Sequence, residues 1–185
     1  MNNVEDKVMS LKKGTVELEE YNSNFKRMYE EEEKRLKELL KDNIIEIRHV
    51  GSTSIEGLCA KPVIDIMVTV KKLDDVLKFK HLFTEDLGYD FRDDNGVKGE
   101  YLVRKGSEDA RTHFVHIIED KSERYENFVY FKSYLESHKE KVEEYRKLKE
   151  ELAIKYSDDR KMYTASKNEF IQNIISLYKK ENNIE

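Results

Sequence analysis

Residues Arg48–Val70 read RHVGSTSIEGLCAKPVIDIMVTV, and this stretch decides the fold. Charged residues make up 39% of the chain and hydrophobic ones 38%, so a long segment with little charge stands out. It also carries the single proline, the single cysteine and two of the seven glycines. Ile44–Val50 predicts a strand ended by Gly51. Val63–Val70 predicts a second strand that starts just after Pro62, where a proline costs no ladder bond. Side chains alternate along a strand, so Ile64, Ile66, Val68 and Val70 share one uniformly apolar face, which is core. Val63, Asp65, Met67 and Thr69 share the other. An aspartate is disfavoured inside a strand, and a buried one needs a cation, a cluster of donors or a metal.

Outward from this stretch the pattern is mixed. Residues 1–14 are polar and unpatterned and predict a flexible leader, leaving 15–185 as a single domain. Phe25, Met28, Tyr29, Leu36, Leu39 and Leu40 recur at helical spacing and predict a helix over Asn22–Lys41, capped by Asn22 or Ser23. A helix from about Leu73 to Leu87 is stopped by Gly88. Strands follow at Tyr89–Arg92 and Val97–Lys105, joined by the Asp93–Gly96 turn, and a further strand at Ala110–Glu119. The rest predicts three helices: Tyr125–His138, Lys139–Tyr156 and Asp158–Lys180, the last capped by Ser157 or Asp158. Their many Glu and Lys residues read as solvated faces. Leu148, Leu152 and Tyr156 form a packing stripe, and Lys149 and Lys155 interrupt any sustained heptad. The fold class is α+β: a small mixed sheet with flanking helices and a helical C-terminal half.

Composition narrows the function. A net charge of −5 argues against non-specific nucleic-acid binding, which needs a basic face. No apolar run approaches the ~20 residues that span a bilayer, and the N-terminus does not resemble a signal peptide. A single cysteine fits a reducing, cytoplasmic setting. The expected partner is therefore a small molecule, with no nucleic acid and no membrane. Gly51, Ser52, Thr53 and Ser54 offer consecutive backbone N–H groups and hydroxyls with little bulk, a cradle for phosphate or an oxyanion. With Lys61 and Asp65 the set suits a triphosphate and a divalent metal. The plainer alternative is a polar turn capped by Asp65.

HVGSTSIEGLCAKPVIDIMV resembles the signature of the GrpB family: His-hydrophobic-Gly-Ser-Thr, Gly-Leu, Lys-Pro, Ile-Asp-Ile. ARTHFVHIIE, FKSYLESHKEKVEEYRKLKEELAIKY and YTASKNEFI extend the likeness in order, from about Val16 to Tyr178. The resemblance implies a nucleotidyltransferase-like fold, in a family that also occurs fused to dephospho-CoA kinase. It implies phosphate binding at Gly51 and Ser52 and Mg²⁺ on Asp65. Nucleotidyltransferases carry a second carboxylate two residues on, where this chain has Met67, a poor ligand for a hard cation.

The candidates to complete the site lie on Ala110–Glu119. His113 and His116 fall on opposite strand faces and cannot both point at Asp65, and the family resemblance favours His116 as its single metal partner. The resemblance suggests histidines at the positions of Phe114 and His116, and Phe114 departs from it. Arg111 and Lys61 are expected anion ligands, and Tyr163 with Lys167, at i and i+4 of the last helix, is expected to close over the site. His49 is read as a brace for the turn and Cys59 as a small buried residue. Three functions follow: a nucleotidyltransferase with Mg²⁺ and catalytic Asp65; a non-catalytic module for a nucleotide or CoA-like ligand; and an interaction protein working through its C-terminal helices.

Overall fold

The computed structural model describes residues 14–92 and 97–184. Residues 1–13 of the leader and the Asp93–Gly96 turn lie outside them. Five strands form one mixed sheet: β1 (Glu46–Val50), β2 (Ile64–Val70), β3 (Asp90–Arg92), β4 (Glu100–Ser107) and β5 (Ala110–Glu119), in the order β1-β2-β5-β4-β3. β2 and β5 pair in parallel at the centre, and every other pairing is antiparallel.

One face of the sheet is core, as the alternation in Val63–Val70 predicts. Ile64, Ile66, Val68 and Val70 meet Val103, Val115 and Ile117 of the neighbouring strands, beneath α1 (Ser23–Leu40). α1 begins where Asn22 accepts a hydrogen bond from the Asn24 N–H at 3.0 Å, and it buries Phe25, Leu36 and Leu40. It also buries Glu32, whose carboxylate accepts from the Tyr89 hydroxyl and the Lys105 ammonium.

The predicted Leu73–Leu87 helix is instead a 3₁₀ segment, Leu73–Phe79, and a π turn, Leu82–Asp86. Leu73, Val76, Phe79 and Leu82, all packed on the core, are spaced by threes, the period of a 3₁₀ helix rather than of an α-helix.

The other face is covered by α2 (Glu123–Ser137), α3 (Lys139–Lys155), α4 (Arg160–Ser166) and α5 (Asn168–Glu181). Met67 is fully buried there, with Val50 and Ile118, against Tyr125, Phe128 and Val129 of α2. Phe131, Tyr134 and Leu135 of α2 join Val142 and Tyr145 of α3 and Ile174 and Ile175 of α5 in a second core. The single last helix expected over Asp158–Lys180 is two. Its cap is Asp159, which accepts from the Met162 N–H at 3.0 Å, and the chain turns at Lys167 between α4 and α5. No helix among the described residues is long and apolar enough to cross a membrane.

Candidate functional site

The site is built around the turn after β1. Gly51 adopts φ 69°, ψ −173°, a region in practice restricted to glycine. A Cβ on it would lie 2.5 Å from Asp65 Oδ2, so turn and carboxylate touch only because the side chain is missing. Ser52–Ser54 forms a 3₁₀ turn, closed where Ser54 donates to the Gly51 carbonyl through N–H at 3.2 Å and through Oγ at 2.7 Å. His49 braces it: Nε2 lies 3.0 Å from Thr53 Oγ1, and the ring stacks on Tyr29 at 4.7 Å. Burial, aided by the Lys132 charge, pushes the His49 pKa down to about 4, so the ring is neutral at pH 7.

Strand register then assembles two rows on this face. Val50, Asp65, Phe114, Arg104 and Asp90 pair across all five strands; Arg48, Met67, His116, Leu102 and Arg92 form the next row. Residues paired in register share a face. His116 Nε2 faces Asp65 Oδ1 at 3.3 Å and its Nδ1 faces Glu100 Oε1 at 2.9 Å. Arg124 holds the remaining Glu100 oxygen, Nε at 3.0 Å and Nη2 at 2.5 Å. Burial disfavours the imidazolium, but hydrogen bonds and charge from both carboxylates outweigh it and raise the His116 pKa to about 9. At pH 7 both ring nitrogens carry protons, and His116 donates one bond to each acid.

Below these rows opens a cavity of about 360 Å³. Ser52, Thr53, Asp65, Phe114 and His116 line it from the sheet, Lys61 from the loop before β2, and Lys149, Arg160, Tyr163 and Lys167 from the helical layer. The lining holds six cationic side chains, Lys61, Arg124, Lys149, Arg160, Lys167 and protonated His116, against the carboxylates of Asp65 and Glu100.

Lys149 is 1% exposed, and its ammonium donates to the Cys59 carbonyl. Lys61 and Lys167 lie over the Tyr163 ring, 5.4 and 4.4 Å from its centre, and Arg160 lies 5.7 Å from that of Phe114. Among the described residues none of these four cations has a carboxylate within 4.0 Å. Burial accordingly lowers their pKa values, to about 7 for Lys61 and Lys149 and about 8 for Lys167. Tyr163 is wholly buried, and its hydroxyl has no hydrogen-bond partner among the described residues. The cavity is thus lined by desolvated basic groups that share the field of Asp65 without contacting it, an arrangement that costs stability and favours an anion.

The order of these elements and motifs matches known proteins along most of the chain. The family described as "GrpB protein" fits residues 15–177. This chain belongs to the GrpB family. The crystal structure of conserved protein GrpB from Enterococcus faecalis superposes with a TM-score of 0.81 at 32% identity, covering 90% of this chain and 99% of that one. The "Glutamate-rich protein GrpB" of Alkalihalophilus pseudofirmus is 31% identical over 172 residues, 91% of this chain and 99% of its own length. The UPF0157 protein YqkA of Bacillus subtilis is 35% identical over 160 residues, 86% of this chain. That match spans only 46% of the length of YqkA.

In this GrpB-family chain the residues singled out from sequence divide in two. Ser52, Thr53, Lys61, Asp65, His116, Tyr163 and Lys167 line one cavity, and Gly51 abuts its carboxylate. The others lie elsewhere. Ser54 spends its hydroxyl closing the turn. His113 is buried on the α1 face, Nδ1 2.9 Å from Thr112 Oγ1 and Nε2 3.4 Å from the Met28 carbonyl. Arg111, expected to grip the anion, donates to the Gly106 carbonyl at 2.6 Å and to Asp90 at 3.1 Å, away from the cavity lining. The bulge at Lys105/Gly106 in β4 lies beside it. Tyr163 and Lys167 do not share one helix: Tyr163 is in α4 and Lys167 is at its junction with α5.

Sequence reasoning missed Lys149, Arg160, Glu100 and Arg124. For Lys149 a signal was there. Val142, Tyr145, Lys149 and Leu152 are spaced 3, 4 and 3 apart and are all buried, so a lysine occupies an apolar position of a core-facing stripe.

As a set of donors to Mg²⁺ these residues do not fit. Both ring nitrogens of His116 are engaged, Nε2 with Asp65 Oδ1 and Nδ1 with Glu100 Oε1, so neither is free to take a metal. Glu100 is taken by His116 and Arg124, while Met67 faces α2 rather than the cavity. Among the described residues no three His, Cys, Asp or Glu side chains converge on one point.

Proposed function

We propose that this GrpB-family protein binds a small molecule bearing a phosphate, of the nucleotide class, in the cavity between the sheet and α3–α4. The ligand charge is met by Lys61, Lys149, Lys167 and Arg160 rather than by a protein-held metal. The observation that carries this reading is the set of four buried or half-buried cations around one cavity with no carboxylate in contact. Burying unpaired charge opposes folding, so a chain that concentrates four such groups gains from an anion that pairs with them all at once. The Ser52–Thr53 turn lines one wall and the Tyr163 ring the other. Lys61 and Lys167 both pack on the aromatic ring of Tyr163.

A second reading, transfer of the nucleotidyl group to an acceptor, is favoured by one observation: Asp65 faces the same cavity with its carboxylate oriented by His116. In that reaction an acceptor hydroxyl attacks the α-phosphorus, the bond to pyrophosphate breaks, and Asp65 accepts the hydroxyl proton. Glu100 and Arg124 fix His116 and through it the carboxylate, so they act as positioning residues.

Thermal unfolding with nucleoside mono-, di- and triphosphates and with CoA tests the binding reading. A ligand at a hundred times its Kd stabilises by about 2.7 kcal/mol, which for a chain of this size raises Tm by roughly 5–10 °C. Lys61→Met and Lys167→Met are each expected to remove that rise. A flat response across the panel overturns the proposal.

A further inference from the structure

The phosphate site does not end at Asp65. The row through Asp65 continues across Phe114 to Arg104 and Asp90 on the same face of the sheet. Arg104 stands two strands from Asp65, about 10 Å at ordinary strand spacing. There the Asp90 carboxylate faces three guanidiniums at one oxygen, Oδ2: Arg104 at 2.5 Å, Arg92 at 3.1 Å and Arg111 at 3.1 Å. One arginine would tie the three-residue edge strand β3 to β4; among the described residues three share this single carboxylate. Among the described residues the buried Arg104 Nε has no hydrogen-bond partner, although its Nη2 is bound. From the helical layer Arg160 leans over Phe114. It is close enough to feel Arg104 and Asp65, which stand on either side of that ring, as the two charges that perturb it. Phe114 thus forms the floor between two cationic stations, with Arg160 above it and shared by both.

Resting on the phosphate-binding reading, we infer that the ligand carries a second anionic group, held by Arg104 and Arg160 beyond Phe114. The ligand is then a bis-anionic small molecule lying across the Phe114 ring, one phosphate among Lys61, Lys149 and Lys167 and the other at the arginine cluster. The Arg104 side chain is 23% exposed and bound through Nη2, so its Nη1 group can still offer a donor to a phosphate oxygen. The phenyl face suits a flat or apolar linker between the two charges.

Matched pairs that differ by one phosphate test this by isothermal titration. Adenosine 5′-monophosphate is compared with adenosine 3′,5′-bisphosphate, and fructose 6-phosphate with fructose 1,6-bisphosphate. In the wild-type protein at least one bisphosphate is expected to bind tenfold or more tighter than its monophosphate. Arg104→Gln should erase that advantage and leave monophosphate affinity unchanged, whereas Arg104→Lys should restore part of it. Should Arg104→Gln fail to fold, Arg92→Gln, at an exposed edge position, is expected to reduce the advantage severalfold. If monophosphates bind and bisphosphates bind no tighter, the second station is wrong and the phosphate site stands. Equal losses for both members of a pair in Arg104→Gln likewise overturn the inference. Binding of neither class removes both proposals.

Discussion

The two faces of the same β-sheet follow opposite rules. On the α1 face Ile64, Ile66, Val68 and Val70 pack against Val103, Val115 and Ile117, and the ionised Glu32 buried there is met by Lys105 and the Tyr89 hydroxyl. On the other face Asp65, His116 and Glu100 form a hydrogen-bonded chain, while Lys61, Lys149, Lys167 and Arg160 touch no carboxylate among the described residues. The first face is satisfied within the chain. In the proposed reading the second is completed by an anion that enters it. Since both faces belong to the same strands, the difference comes from alternation along the strand and from what the covering helices bring, not from separate parts of the fold.

Substitutions on each face sharpen that contrast. The largest effect is expected on the satisfied face. Ile66→Ala should cost about 2–5 kcal/mol in urea unfolding and leave nucleotide affinity of the folded fraction unaltered. Reduced affinity there would mean that the faces are not independent. Gly51→Ala is expected to cost about 1–3 kcal/mol through its backbone region, and to weaken binding as well, because the new Cβ displaces Asp65.

Lys61→Met inverts the usual outcome: a gain of about 1–3 kcal/mol at pH 7 with loss of binding. The sign follows from the lowered pKa of about 7. Below pH 7 the folded protein bears the full penalty of the buried charge. Between about 7 and the unfolded value of 10.5 only the unfolded chain keeps the proton, so wild-type stability recovers with rising pH and the advantage of methionine fades. A stability gain that persists unchanged at pH 10 would contradict this.

The smallest effect is the pH dependence of binding itself. As pH rises through about 7 to 8 the lysines with those pKa values lose charge while a phosphate monoester is already largely a dianion, so affinity should fall on the order of tenfold per pH unit for each lysine that binding needs. His116, at about 9, keeps its proton through most of that window. Titrations at pH 6.5, 7.5 and 8.5 provide the check, and a flat profile would show that the lysines do not carry the binding.

Much of this was legible in the sequence, for physical reasons. The alternation in Val63–Val70, the Gly51 turn and the expected α+β order reflect local periodicity, and they stand in the structure. Strand parity and the family resemblance together paired His116 with Asp65, and the two side chains do meet, through a hydrogen bond. What could not be read locally is register between strands distant in sequence. Glu100 reaches His116 only because β4 pairs with β5 as it does, and Arg111 looked like a site residue until its partner proved to be Asp90 on the edge strand. The 3₁₀ segment at Leu73–Phe79 was legible in its spacing by threes but was read with a helical period. Lys149 was read as breaking a stripe, although an apolar position filled by lysine is the mark of a buried charge.

The central claim is that protein cations, not a metal on Asp65, neutralise the ligand. Melting curves with ATP, in EDTA and in Mg²⁺, for the wild-type protein and Asp65→Asn, test it most directly. The account predicts a rise in Tm that is present in EDTA and survives in Asp65→Asn, where one repelling carboxylate has gone. A rise that needs Mg²⁺ and vanishes in Asp65→Asn would contradict it.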